Sequence, residues 1–326
     1  MITTPLSEQD NSLLERAVAL AQKGLFTTKP NPRVGCVIAR ENKIIGEGWH
    51  VRAGQAHAEI TALVAADHDV RGADVFVSLE PCAHHGKTGP CASALIEAGV
   101  GRVVISMLDP NPEVSGRGVE MLRQAGIQVL ISDNPEQARM INAGFCLRME
   151  KGRPLVRLKI AATLDGRTAA SDGSSQWITG DSARRDVHTL RAMSCALITG
   201  IGTIRADNPR LNARIDSDVE QPLRVVVEGR QVGRPDAAIF SEAGRVLLVG
   251  PQSLPSRKEV PPGAEYLSVD SDHGKLDLGQ LIKILADQGC NEVLVEAGPT
   301  LAGAFVSAGL VDEIWIYQSP DIIGES

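Results

Sequence analysis

The chain has 326 residues, which at roughly 150 residues per domain reads as two domains, each long enough to bury its own core. Apolar residues make up 43% and charged residues 22%, while 33 Lys plus Arg against 40 Asp plus Glu leave a net charge of −7. With only 3% aromatic residues as well, the chain lacks the basic surface and stacking rings of a dedicated nucleic-acid binder, and its composition excludes wholesale disorder.

No apolar run reaches the ~18–20 residues that span a bilayer. The start, Met-Ile-Thr-Thr-Pro-Leu-Ser-Glu-Gln-Asp-Asn, has neither a basic region nor an apolar stretch of the secretory kind. A cytoplasmic location is expected, with the six cysteines reduced. Cys36, Cys146, Cys195 and Cys290 are scattered singly and read as small buried hydrophobes.

In the first half, Leu13, Leu14, Ala17, Val18 and Ala21 repeat at helical spacing, with Gly24 as a C-terminal stop. Val34 to Ala39 and Ile44 to Gly48 flank the polar turn Glu41-Asn42-Lys43 and predict a hairpin. A helix is predicted over 57–66, a strand over 75–79, a helix over 92–98 and a strand over 103–105. A helix over 118–125, a strand over 127–131 and one helix over 136–149 follow. Glu150-Lys151-Gly152-Arg153-Pro154, charged and with two breakers, marks the boundary.

The second half restarts with the strand-like Leu155 to Ile160. Further strands are predicted near 196–199, 224–227, 246–249, 293–296 and 314–317, and helices near 182–193, 276–288 and 300–308. The stretch from Pro251 to Pro262 reads as a surface loop. Alternating strands and helices predict a largely parallel α/β sheet in each half.

Three segments carry chemistry: His57-Ala58-Glu59, Pro81-Cys82 and Pro90-Cys91. Each places its ligand candidate at or just before a predicted helix start, where free backbone N–H groups favour a thiolate. One His and two Cys make a three-ligand zinc site with the fourth position open to water, the form of a catalytic rather than a structural site. Glu59, two residues from His57, points about 200° away from it on a regular helix. The two converge only if the metal lies over the helix N-terminus with His57 in the first turn, which makes Glu59 a proton shuttle and not a ligand. The spacing departs from the two-residue Cys-x-x-Cys form of zinc deaminases, with eight residues between Cys82 and Cys91. Cys82-Ala83-His84-His85 with Cys91 is also compatible with a non-catalytic zinc loop using His84 or His85.

In the second half, Gly200-Ile201-Gly202 follows a predicted strand as a phosphate-binding turn does, although Arg205 stands where a third fingerprint glycine belongs. Glu296-Ala297-Gly298-Pro299-Thr300-Leu301 forms a second strand-to-helix turn. Two such turns in one sheet suit a dinucleotide.

Thr27-Thr28-Lys29-Pro30-Asn31-Pro32-Arg33-Val34-Gly35-Cys36, His57-Ala58-Glu59 and the stretch from Glu80 to Cys91 resemble the bifunctional riboflavin-biosynthesis deaminase–reductase family, where a long inter-cysteine loop is normal. The resemblance implies zinc on His57, Cys82 and Cys91, Glu59 as proton donor, and a diaminopyrimidinone ribosyl phosphate as substrate. Asn31, His50, Asp109 and Asn111 lie on loops similar to the family's substrate-contacting segments, though Asn31-Pro32 and Asp109-Pro110-Asn111-Pro112 are also strong turn formers. Lys87 is a weaker phosphate candidate, better read as a solvated loop lysine. Ala83 and Gly89 stand where serine and proline are common, and neither is a ligand.

The likeness continues through Leu158 to Arg167, Ser175-Gln176-Trp177-Ile178-Thr179 and Val295 to Leu301. It implies a reductase that takes NADPH and reduces the ribosyl group to ribityl. Ala161, Trp177, Thr203 and Asp207, with the turn Gly298, Pro299, Thr300, Leu301, Ala302, Gly303 and Ala304, would contact the cofactor. Ser175, Arg191, Leu211, Arg214 and Glu296 would contact substrate, the two arginines suiting its phosphate. Lys159 and Asp207 are candidates for the polar groups nearest the reacting ribose carbon. Gly229 replaces a serine often found at a cofactor contact.

The implied architecture is a cytidine-deaminase-like α/β/α domain over 1–150 and a dihydrofolate-reductase-like α/β domain over 151–326, with homodimerisation or larger homo-oligomers through the latter. Relatives continue for some tens of residues beyond Ser326, so the C-terminal end reads as incomplete. The competing expectation is a deaminase alone, with the C-terminal half as an oligomerisation or substrate-gripping module. A nucleic-acid base deaminase is disfavoured by charge and aromatic content.

Overall fold

A computed structural model describes residues 6–83, 89–112, 114–170, 178–228, 236–251, 260–272 and 275–324. The chain separates into two compact units, Met1–Lys151 and Gly152–Ser326. Lys87, Ser175, Trp177 and Gly229, together with His84 and His85, lie outside the described residues.

The first unit runs α1 (Glu8–Ala21), β1 (Gly35–Arg40), β2 (Lys43–Trp49), α2 (Ala58–Ala65), β3 (Asp74–Val77), α3 (Cys91–Ala98), β4 (Arg102–Ile105), α4 (Arg117–Gln124), β5 (Gln128–Ile131), α5 (Glu136–Ile141) and α6 (Ala143–Lys151). Helix α1 begins five residues before its first apolar repeat because Ser7 and Asp10 form a reciprocal capping box. The hairpin turns on Glu41 and Asn42, both at positive φ, which matches the right-handed twist of the strands it joins. The five strands lie in the order β2-β1-β3-β4-β5. β1 is antiparallel to β2 and β3, whereas β3, β4 and β5 are parallel.

Both sheet faces are covered. Leu13, Leu14, Ala17 and Leu20 of α1 pack on Val37, Phe76 and Val104, while Ala58, Ala62 and Leu63 of α2 and Leu95 of α3 pack on Ile38, Val75 and Val103. Burying each leucine contributes about 2 kcal/mol. The single helix expected over 136–149 is two helices. Buried Asn142 breaks it, accepting the Arg33 backbone N–H at 2.8 Å and donating to the Arg33 carbonyl at 2.9 Å.

The second unit runs β6 (Leu155–Ala162), α7 (Asp181–Met193), β7 (Ala196–Gly200), α8 (Ile201–Asp207), β8 (Leu223–Val227), α9 (Ala238–Ser241), β9 (Val246–Pro251), β10 (Ala264–Val269), the short strands β11 (Ser271–Asp272) and β12 (Lys275–Leu276), α10 (Leu278–Asp287), β13 (Glu292–Val295), α11 (Pro299–Ser307) and β14 (Glu313–Gln318). Seven strands form one parallel sheet, β10-β9-β8-β7-β13-β6-β14. The strand order reverses between β7 and β13, the kind of switch point where ligands settle beyond the carboxyl ends of parallel strands. Buried Arg224 on β8 donates to the carbonyls of Ile239, Glu242, Ala243 and Gly244 and so ties α9 and the turn after it to the sheet.

Candidate functional site

In the first unit the site forms beyond the ends of α2 and α3. Helix α2 lies directly on β2, because a Cβ at Gly48 would fall 2.4 Å from the Ala58 carbonyl. His57 is the N-cap of α2, in extended conformation one residue ahead of the first turn in which it was expected, and Glu59 is the second helical residue. This offset turns both side chains toward the same end of the helix. Cys91 opens α3 behind its N-cap Pro90. Cys82 begins no helix among the described residues, unlike the expectation for it, and lies on the irregular segment after β3.

His57 Nδ1 lies 3.6 Å from Cys82 Sγ and 3.3 Å from Cys91 Sγ, and Cys82 Sγ accepts the Cys91 backbone N–H at 3.3 Å. All three ligand atoms fall within 4.8 Å of one another, and among the described residues they are the one such group of His, Cys, Asp or Glu. Zinc with Zn–S near 2.3 Å and Zn–N near 2.0 Å places tetrahedral S and N ligands about 3.6 Å apart. The residues therefore fit the ion.

The Cys91 thiol, with help from His57, draws the Cys82 thiol down to about 4, against the opposing effect of burial. Cys91, which keeps the shared proton, is pushed well up. Cys82 raises the affinity of His57 for its proton. Glu59 is 3% exposed and hydrogen-bonds the Cys91 thiol. Burial, with the charge of Cys82, pushes its carboxyl up to about 7, where a carboxyl can both take and give a proton at neutral pH.

His50 stands edge-on to His57, ring centroids 5.3 Å apart. Its Nδ1 donates to the Ala56 carbonyl at 3.0 Å, leaving Nε2 to accept from Asn31 Nδ2 at 3.1 Å. Burial disfavours the charged imidazolium. Asn31 and His50 are thus joined beside the ligand triad. Asp109 and Asn111 follow β4, which runs parallel to β3, so they emerge at the same sheet edge as Glu80 and Cys82. Asp109 Oδ1 accepts the Asn111 backbone N–H at 2.8 Å.

In the second unit the candidates gather at the carboxyl edge of the sheet. Glu296, just past β13, accepts from Arg191 of α7 at two points, Nε to Oε1 at 2.6 Å and Nη2 to Oε2 at 2.9 Å. Lys159 Nζ of β6 is 3.8 Å from Oε2. Burial alone would raise the Glu296 carboxyl, but Arg191 and Lys159 outweigh it and hold the group below its usual range. Arg191 also donates to the Asn212 carbonyl at 3.3 Å, and Arg214 to the Asn212 side chain, which brings the two arginines to one residue. His188, one helical turn before Arg191, meets the Arg214 backbone N–H at 3.2 Å and its guanidinium at 3.0 Å. His188 was not singled out in the sequence, where its three-residue spacing from Arg191 on a helix was the available signal. Leu211 has positive φ and a buried side chain.

Gly200 caps α8 and Gly298 caps α11, at the ends of neighbouring strands β7 and β13. The expected Gly200-Ile201-Gly202 turn is the start of helix α8, which carries Thr203 and Asp207. A Cβ at Gly200 would touch Leu301 at 3.5 Å, so the two turns adjoin. Gly298 and Gly303 have nothing within 4 Å of such an atom, and Thr300 and Ala304 are exposed, leaving the first turn of α11 open to a phosphate-bearing cofactor. Ala161 lies on β6, paired with Tyr317 of β14. The fully buried Thr199 hydroxyl, near the end of β7, has no partner among the described residues.

A His-Cys-Cys triad with a buried glutamate at two helix starts defines the site of a zinc deaminase, and the second unit is a parallel sheet with paired strand-to-helix turns of the kind that hold a nucleotide. Residues 7–107 match the cytidine and deoxycytidylate deaminase zinc-binding region, and residues 154–326 match the RibD C-terminal domain. The chain is 46% identical to the riboflavin biosynthesis protein RibD of Escherichia coli, across 97% of this chain and 89% of the relative. It is similar to the solved Acinetobacter baumannii RibD, with a TM-score of 0.91 and 44% identity over 98% of this chain and 88% of that one. A Thermotoga maritima diaminohydroxyphosphoribosylaminopyrimidine deaminase/5-amino-6-(5-phosphoribosylamino)uracil reductase aligns at TM-score 0.88 and 37% identity, over 97% and 88% of the two chains. The chain belongs to the RibD family of riboflavin-biosynthesis enzymes.

Proposed function

We propose that this chain catalyses two successive steps: deamination of a diaminopyrimidinone ribosyl phosphate by residues 1–150, then NADPH-dependent reduction of the ribosyl side chain to ribityl by residues 151–326. The observation that carries the first step is the convergence of His57, Cys82 and Cys91 within 4.8 Å above buried Glu59.

His57, Cys82 and Cys91 hold the zinc, which when bound supplies a Lewis acid that makes water nucleophilic at neutral pH. Glu59 accepts the proton that water gives up as it attacks the amino-bearing ring carbon. It passes that proton to the ring nitrogen, then takes the remaining proton from the newly added hydroxyl and hands it to the amine, so that the C–N bond breaks, ammonia leaves and the ring carbon is left as a carbonyl. Asn31, His50, Asp109 and Asn111 orient the pyrimidinone edge. The fixed tautomer of His50 supports this role, because its ring is already ordered before substrate arrives.

In the reductase, Arg191 and Arg214 bind the substrate phosphate, and Glu296, Leu211, Ser175 and Lys159 complete the substrate side. Ala161, Trp177, Thr203, Asp207 and the 298–304 turn would hold NADPH, which when bound supplies a hydride to the sugar carbon bearing the ring amine, as that carbon's bond to the ring oxygen opens and the oxygen takes up a proton. Lys159 and Asp207 lie nearest that carbon in this reading. The chain's own work is alignment of the two reactants. Among the described residues no helix is long and apolar enough to cross a membrane, in keeping with a cytoplasmic location. Self-association through the second unit is part of this reading.

The test is nicotinamide absorbance and ammonia release with zinc-loaded chain, NADPH and the diaminopyrimidinone ribosyl phosphate, alongside Glu59→Gln. Loss of NADPH absorbance with ammonia release in the native chain only is the expected result. Ammonia without NADPH consumption would remove the reductase half of the reading.

A further inference from the structure

Glu80 stands one residue before Pro81-Cys82 and takes no part in the chemistry assigned above. Its carboxylate is 3% exposed and accepts four backbone N–H groups. Asp109 at 3.2 Å and Gly116 at 2.9 Å donate to Oε2, while Gly118 at 3.0 Å and Val119 at 3.2 Å donate to Oε1. A carboxylate offers about four lone-pair sites, so this one is saturated by a single segment of chain.

That segment starts at the loop bearing Asp109 and Asn111 and ends in the first turn of α4. The N-cap of α4 is Gly116, which has no side chain to satisfy the free N–H groups behind it. Gly118 and Val119 are the second and third residues of the helix, the positions an N-cap side chain serves. Glu80 supplies that cap from a distant point in the sequence, with its negative charge at the positive end of the helix dipole. Gly118 makes the approach possible, since a Cβ there would fall 2.0 Å from the Pro81 carbonyl. Asp109 in turn accepts the Asn111 N–H. One side chain therefore joins the segment holding Cys82 to the loop holding Asp109 and Asn111.

We propose that Glu80 is a positioning residue for deamination: its carboxylate locks the 109–119 segment against Pro81-Cys82 and so sets where Asp109 and Asn111 meet the pyrimidine. This rests on the reading that Asp109 and Asn111 contact substrate. A loop ordered in advance loses less conformational entropy when substrate binds, so Glu80 acts on KM more than on kcat.

Glu80→Gln keeps the shape of the side chain but turns an NH2 group toward two of the four N–H donors. Ammonia release by the zinc-loaded chain is measured across substrate concentration for Glu80→Gln, Asp109→Ala, Asn111→Ala and the double variants. KM is expected to rise at least about tenfold in Glu80→Gln with kcat within about threefold of native, the signature of lost uniform binding. Zinc content and the reductase rate on pre-deaminated substrate stay unchanged. In the Asp109→Ala background Glu80→Gln adds less than about twofold to KM, because residues acting through one another are not additive.

A merely structural role would lower zinc content or kcat and give effects that multiply in the double variants, and either result overturns the proposal. Glu80→Asp, one methylene shorter with the charge kept, is expected to give an intermediate KM, and it decides the matter if Glu80→Gln does not fold. Unchanged KM in Asp109→Ala and Asn111→Ala removes the substrate-contact reading and the proposal with it. A raised KM in those two but not in the Glu80 variants removes the proposal alone.

Discussion

Arg191 and Glu296 hold each other in a two-point ion pair, with both side chains largely buried and Lys159 adding a second positive charge on the carboxylate. A glutamate so placed is a fixed anion, and it leaves Arg191 pre-aimed toward Asn212 and Arg214. Planarity matters here more than charge, because only a guanidinium meets both carboxylate oxygens at once. Arg191→Lys is expected to raise the reductase KM for its phosphorylated substrate by about tenfold or more. Deaminase kinetics should not change. Arg191→Met, which leaves Glu296 short of its main partner, should destabilise the fold by about 3 kcal/mol, read as a lower denaturation midpoint.

Glu59 is buried against the Cys91 thiol and is not one of the three converging ligand atoms. Glu59→Gln should therefore retain zinc, measured by metal analysis, while ammonia release falls by about 10²–10⁴-fold, the usual contribution of a positioned acid–base. The same variant should reduce pre-deaminated substrate at the native rate. Loss of zinc from this variant would make Glu59 a ligand and remove its assignment as a proton shuttle.

The elements with clear periodicity are legible in the sequence. The hairpin around Glu41-Asn42, the strand-helix alternation and the helix start at Cys91 fall where local pattern places them, whereas Cys82 begins no helix among the described residues. What escaped was set by tertiary contacts. Helix α8 has too few residues to show a periodic face, and β10 alternates weakly because it is an edge strand. His57 sits one residue outside its helix because its φ and ψ are extended, and residue identity alone does not fix that. The roles of Glu80 and His188 leave no local signal, because their partners lie far along the chain, at 109–119 and 214. The family likeness, not composition, carried the reductase site.

Asn142 illustrates the same point through stability. Helical periodicity runs unbroken from 136 to 149, yet the side chain of Asn142 is committed to both backbone groups of Arg33 and the helix divides there. Asn142→Ala would leave the buried Arg33 N–H without this acceptor, at a cost of about 1–3 kcal/mol. A denaturant titration should show a lower midpoint with an unchanged slope. Activity at saturating substrate should be close to native, since the residue touches none of the ligand triad. An unchanged midpoint would mean that water replaces both bonds.

His188 gives the second unit a pH dependence with a definite sign. Burial first, then the charges of Arg191 and Arg214, pull its imidazole down to about 4, with Glu296 opposing them. An unfolded chain carries this histidine near its ordinary value of about 6.5. Above that pH both states hold the ring neutral and the group contributes no difference. As pH falls from about 6.5 toward 4 the unfolded chain takes up a proton that the folded chain refuses, so stability drops across that window. Half-exposure of the ring lets solvent screen the effect, which makes its size modest. Thermal unfolding of the full chain at pH 7.5 and pH 5 should show a larger fall in midpoint for native protein than for His188→Gln. Equal falls in the two would mean that the imidazole is free to protonate in the folded state, and would leave no reason to place it against the two arginines in solution.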